Sequence, residues 1–130
     1  MQEFYINKGN TLPKLRMELI NSGRFDFHRA NLYNNAIQNA DITFSMKDSE
    51  NGILKVSEMP ARAVLEEDAG CEERYVLEYA WKERDTKTPG IYEAWFTIRF
   101  HGSDIYEAGQ EYPDGILNLP IQEHLLIYVQ

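Results

Sequence analysis

The chain has 130 residues and a mass of 15.2 kDa. That length holds one domain and buries roughly two-thirds of its unfolded surface without a metal or disulfide staple. With 43% hydrophobic and 26% charged residues it is globular rather than disordered in composition. Its 21 acidic against 13 basic residues leave a formal charge of −8, a field that repels phosphate backbones and anionic membranes and speaks against nucleic acid as a partner.

The single Cys71 forms no intrachain disulfide and agrees with folding in a reducing cytoplasm. No apolar run approaches the ~18 residues of a membrane helix, and Met1-Gln2-Glu3-Phe4 lacks the basic and apolar organisation of a signal peptide.

Period-two alternation dominates from the start. A short strand is expected at 4–7, and Leu15, Met17 and Leu19 then alternate with Lys14, Arg16 and Glu18. The Asn-rich stretch 27–40 carries Leu32, Ala36 and Ala40 at roughly helical spacing. It reads as a long loop with one short helical turn at most, and such loops often carry a partner contact. Ile42, Phe44 and Met46 resume the alternation, followed by shorter candidates at 53–57 and 62–66. Tyr75, Leu77, Tyr79 and Trp81 share one face of the next strand. Tyr92, Ala94, Phe96, Ile98 and Phe100 stand opposite Glu93, Trp95, Thr97 and Arg99. Leu125, Ile127 and Val129 close the pattern. Successive strand side chains point to opposite faces, so each run has one face on a core.

Turn residues fall between the runs: Gly9-Asn10, Asn21-Ser22-Gly23, Asn51-Gly52, Ala69-Gly70, Pro89-Gly90 and Pro113-Asp114-Gly115. Seven or eight short strands so punctuated predict an all-β antiparallel sandwich, residues 1–130 forming one domain. Pro89-Gly90 suits the centre of a type II turn. Tyr92, two residues on, is placed to return its hydroxyl to upstream backbone, as in a tyrosine corner. Trp81 is the expected anchor between the sheets.

Catalytic constellations are thin. His28, His101 and His124 lie far apart without metal-ligand spacing, and one cysteine does not make a zinc site. The acidic neighbours of Cys71 (Glu66-Glu67-Asp68 and Glu72-Glu73) raise a thiol pKa, the wrong direction for a nucleophile. Neither that run nor Asp48-Ser49-Glu50-Asn51-Gly52 has calcium-loop spacing, and the latter reads as a hairpin turn. Phosphate-binding loops and nucleophile elbows are absent. The expectation is a protein without enzymatic activity, metal or cofactor. Trp95, Tyr106, Tyr112 and Tyr128 suit stacking on sugars, which makes a carbohydrate-binding adhesion module the reading of another class.

Three blocks carry a resemblance. The opening runs Phe4-Tyr5-Ile6-Asn7-Lys8-Gly9-Asn10-Thr11-Leu12-Pro13, and the middle runs Ala40-Asp41-Ile42-Thr43-Phe44-Ser45-Met46-Lys47-Asp48. The third is Tyr79-Ala80-Trp81, then Asp85-Thr86, Thr88-Pro89-Gly90, Tyr92 and Phe96. With Pro113-Asp114-Gly115 and the terminal strand, this succession resembles the immunoglobulin-like structural domain of tailed-bacteriophage virion proteins, best known at the N-terminus of baseplate upper proteins. The resemblance implies a virion structural role, with Trp81, Asp85, Pro89, Gly90 and Tyr92 holding the fold. Baseplate members continue into an arm, whereas only Gln130 follows Val129 here, so an auxiliary or decorating subunit of the capsid is the favoured expectation. A neck, tail or baseplate subunit is the alternative. The expected partners are the major capsid protein or copies of this chain, with no nucleic acid and no membrane. Tyr33 and Trp95 are the expected interface anchors, and Arg24 and Arg29 its rim charges.

Overall fold

The computed structural model describes residues 2–18, 39–67, 73–101, 114–120 and 124–130. Among them are nine strands: β1 (Gln2–Ile6), β2 (Leu15–Glu18), β3 (Asp41–Asp48), β4 (Leu54–Pro60), β5 (Arg62–Glu67), β6 (Glu73–Tyr79), β7 (Gly90–His101), β8 (Asp114–Leu119) and β9 (Leu125–Val129). They form two sheets. One has the order β1-β9-β7-β3-β4, with β8 also paired to β7; the other has the order β2-β6-β5. The two pack as an all-β sandwich.

Alternation decides which face is inside. On β7, Tyr92, Ala94, Phe96, Ile98 and Phe100 are all buried, and β9 buries Leu125, Ile127 and Val129. From the facing sheet, Leu15, Met17, Leu77 and Tyr79 complete the core. Each Val, Leu, Ile, Phe or Met among them withdrawn from water contributes about 1.5–3 kcal/mol.

Aromatic rings lock the sheets together. Phe44 of β3 stacks on Tyr79 of β6 with centroids 4.3 Å apart and leans on Phe96 at 5.2 Å. Trp81 meets both Phe44 and Tyr79 edge-on, at 5.6 and 5.4 Å. Such arrangements follow the ring quadrupole and add about 0.5–1.5 kcal/mol per pair beyond area burial.

The structure differs from the sequence expectation in four places. The larger sheet is mixed, because β1 runs parallel to β9 from Gln2↔Leu125 to Ile6↔Val129. There is a ninth strand, since Asp114 and Gly115 open β8 instead of making a turn. Strand β6 ends at Tyr79, so Trp81 reaches the core from the segment just beyond it. Gly90, finally, takes φ +157 and begins β7 opposite Val129, not the φ near +80° of a type II turn.

A short 3-10 turn, Glu83–Thr86, connects β6 to β7. Its Asp85 carboxylate is buried and accepts hydrogen bonds from the Tyr79 hydroxyl at 2.6 Å and the Lys82 backbone N–H at 2.9 Å. Burial first, and then the Asp85 hydrogen bond, push the Tyr79 phenol far above its ordinary pKa. Thr86, with no exposed surface, donates its hydroxyl to the Asn10 carbonyl and so fastens this turn to the β1–β2 connection.

Strands β3 and β4 meet in a tight hairpin. Asp48 Oδ1 accepts the Glu50 and Asn51 N–H groups, and Gly52 supplies the left-handed residue at φ +72. Further along, a bulge opposite Ser45 puts Glu58 at φ +45, where its N–H donates to the buried Ser45 hydroxyl. Only Ala61 separates β4 from β5, so the chain steps from one sheet to the other there.

Candidate docking face

The residues of the larger sheet that point away from the core define its outer face. Parallel pairing of β1 with β9 puts Tyr5 beside Tyr128, and antiparallel pairing of β9 with β7 puts Tyr128 beside Ile91. The two tyrosine rings stack at 4.7 Å with planes 13° apart. Tyr5 is 52% exposed and Ile91 46%. An aromatic and aliphatic row therefore crosses three strands, exposed at Tyr5 and Ile91 and half-buried at Tyr128 between them. The Tyr5 hydroxyl donates to Glu3, and that hydrogen bond raises the phenol's pKa.

The next row toward the middle of the sheet is charged. Glu93 of β7 lies in register with Lys47 of β3 and Leu126 of β9. Its carboxylate lies 3.9 Å from Lys47 Nζ and 3.1 Å from His124 Nδ1. Beyond it Trp95 points outward, half-buried, with the Lys47 ammonium 5.9 Å from its ring centroid, within cation–π range. At the far end of the sheet His101 Nε2 lies 2.8 Å from Asp41.

The outer face of the smaller sheet is built otherwise. Glu78 on the central strand is in register with Arg16 on one side and Arg62 on the other. Arg62 donates to it at 2.9 Å, Lys14 lies at 3.3 Å and the Arg16 Nε at 3.9 Å. Arg16 also pairs with Glu66. The Arg62 hydrogen bond, opposed by burial and helped by Lys14, holds the Glu78 carboxyl below the ordinary glutamate range.

At the entry to β7 the Tyr92 hydroxyl donates to the Thr88 carbonyl at 2.8 Å, turning back over Pro89 and Gly90. Burial, with the Asp48 charge second, raises its pKa. Of the expected interface residues, Trp95 stands on the outer face of the larger sheet, whereas Tyr33, Arg24 and Arg29 lie outside the described residues. Tyr5 and Ile91 were not singled out in the sequence as surface residues. Their juxtaposition depends on the parallel β1–β9 register, which alternation within single strands does not reveal.

Among the described residues, no group of three or more His, Cys, Asp or Glu is arranged to hold a metal ion. No family model, no curated protein and no solved structure matches this chain.

Proposed function

We propose that this chain is an immunoglobulin-like docking domain without enzymatic activity, serving as a structural subunit of a bacteriophage particle and bound to the capsid as an auxiliary protein. The row formed by exposed Tyr5 and Ile91 with half-buried Tyr128 between them carries the reading. Large apolar and aromatic side chains grouped on a rigid sheet face are the material of interface hot spots, among which tyrosine is enriched. The topology supports the immunoglobulin-like part. Strands β2-β6-β5 against β9-β7-β3-β4 have the order B-E-D against G-F-C-C′, and the Tyr92-to-Thr88 hydrogen bond lies at the corner where that fold places its tyrosine. An aromatic stack of Phe44 on Tyr79, with Phe96 beside it, fills the space between the sheets. The phage context rests on the Tyr79-Ala80-Trp81, Asp85-Thr86 and Thr88-Pro89-Gly90 succession.

The test is sedimentation of the purified chain with empty capsids. Co-sedimentation that saturates, and that falls at least tenfold when Tyr5→Ser and Tyr128→Ser are combined, is the expected result. Absence of enrichment over background overturns the capsid assignment. Copy number in purified particles separates shell from tail: hundreds of copies for the shell, tens or fewer for a neck, tail or baseplate subunit.

A further inference from the structure

A change of ladder partner along β7 leaves a notch at its centre. Ala94 pairs with Leu125 of β9, and Phe96 pairs with Leu119 of β8. Trp95 lies between these two pairings, so on that side it faces the strand ends at Pro120 and His124 instead of a ladder residue. On the other side its register partner is Ser45, small, buried and turned to the Glu58 N–H. Among the described residues, the indole therefore has no bulky cross-strand neighbour. The space beside it is a concavity of about 290 Å³ whose polar lining is Lys47, Glu93, Asn118 and His124.

We propose that this notch binds one neutral pyranose ring, with Trp95 as its stacking platform. A pyranose presents an apolar C–H face and a rim of hydroxyls that both donate and accept. The notch offers an indole and, around it, a carboxylate acceptor, an ammonium donor, an imidazole and an amide. These groups are already held in place. Glu93 touches both Lys47 and His124, and Asn118 Oδ1 accepts the Thr97 hydroxyl at 2.7 Å, leaving its NH₂ as the donor to a ligand. Groups fixed before binding lose less freedom when the ligand arrives.

Charge selects against other ring-shaped ligands. The Glu93 carboxylate and the Lys47 ammonium offset one another locally, while the whole chain carries −8. Nucleotides, sulfated sugars and acidic sugars meet a repulsive field, with no surplus lysine or arginine among the described lining residues to hold them. The volume lies at the lower limit of ordinary ligand pockets, which suits a single ring and not an extended oligomer. Tyr5, Tyr128 and Ile91 do not line the notch, so substituting them tests docking without altering the sugar site.

The test is titration of the intact chain with methyl glycosides of glucose, galactose, mannose and N-acetylglucosamine. Readouts are Trp95 emission in a Trp81→Phe background and, for the unaltered chain, the indole N–H shift. At least one neutral glycoside is expected to give saturable changes at a Kd on the order of millimolar. Trp95→Ala and, separately, Asn118→Ala are expected to weaken binding at least tenfold, with a native circular dichroism spectrum required of each. Asn118→Ala decides the question if Trp95→Ala fails to fold. No saturation with any neutral glycoside, undiminished binding by a folded variant, or preference for sialyllactose over every neutral sugar overturns the proposal. Failure of the unaltered chain to bind capsids, with sugar binding present, counts against the docking reading alone.

Discussion

The two sheets turn outward faces of different chemistry to solvent. On the smaller sheet, Arg16, Glu78 and Arg62 stand in register, with Lys14 and Glu66 adding further ion pairs. Each of these five charges has a partner within the chain. On the larger sheet, Tyr5, Tyr128 and Ile91 leave apolar surface in water, with the two tyrosine rings stacked on one another. A face that satisfies itself has little free energy to offer a second molecule. A face that keeps large rings in water gains by covering them. The same alternation rule built both, so the difference lies in which residues occupy the outward positions.

That contrast breaks most readily at Glu78. Removing its carboxylate with Glu78→Ala leaves Lys14, Arg16 and Arg62 facing one another, and about 1–3 kcal/mol of stability is expected to be lost in urea denaturation. Capsid sedimentation should be unchanged. If binding is lost while the fold persists, the docking surface has been placed on the wrong sheet.

The same residue gives a pH signature. Its folded pKa lies below the ordinary value of 4.5, so its stabilisation is present above about pH 4.5 and disappears as pH falls through the lowered folded value. Melting midpoints recorded from pH 6 to pH 3 should fall less steeply for Glu78→Gln than for the unaltered chain. Parallel curves would show that the charge cluster is inert.

On the opposite face the expected signs reverse. Tyr5→Ser combined with Tyr128→Ser should cost only the ring pair's contribution, about 0.5–1.5 kcal/mol of stability, while capsid binding drops at least tenfold. The smallest effect is expected from Lys47→Gln, which removes the cation over Trp95. About 0.5 kcal/mol of stability should be lost, together with a shift in Trp95 emission measured in a Trp81→Phe background.

Much of the architecture was legible in the sequence because the strands are amphipathic. The inward set of β7 from Tyr92 to Phe100, and that of β9, can be read directly from period two. Asp48 to Gly52 reads as a hairpin because Asp accepts local N–H groups and Gly accepts positive φ. Strand direction and partner choice were not legible. Nothing in Gln2 to Ile6 says that this strand will lie parallel to the last one, and the Tyr5–Tyr128 stack depends on that pairing. Asp114-Gly115 looks like a turn in isolation but enters the ladder opposite His101 and Phe100. Trp95 could be read as outward-facing, yet the notch beside it exists because β7 changes partners, a property of three strands at once.

The parallel pairing of the first and last strands has a mechanical consequence. Because β1 and β9 point the same way, the chain enters β1 at one end of the pair and leaves β9 at the other. Tension between those two points drags the strands lengthwise past each other and loads their cross-links together in shear. The bonds from Lys8 N–H to the Gln130 carbonyl and from Gln130 N–H to the Ile6 carbonyl extend that clasp past the last paired residues. An antiparallel pair pulled the same way would peel open one rung at a time.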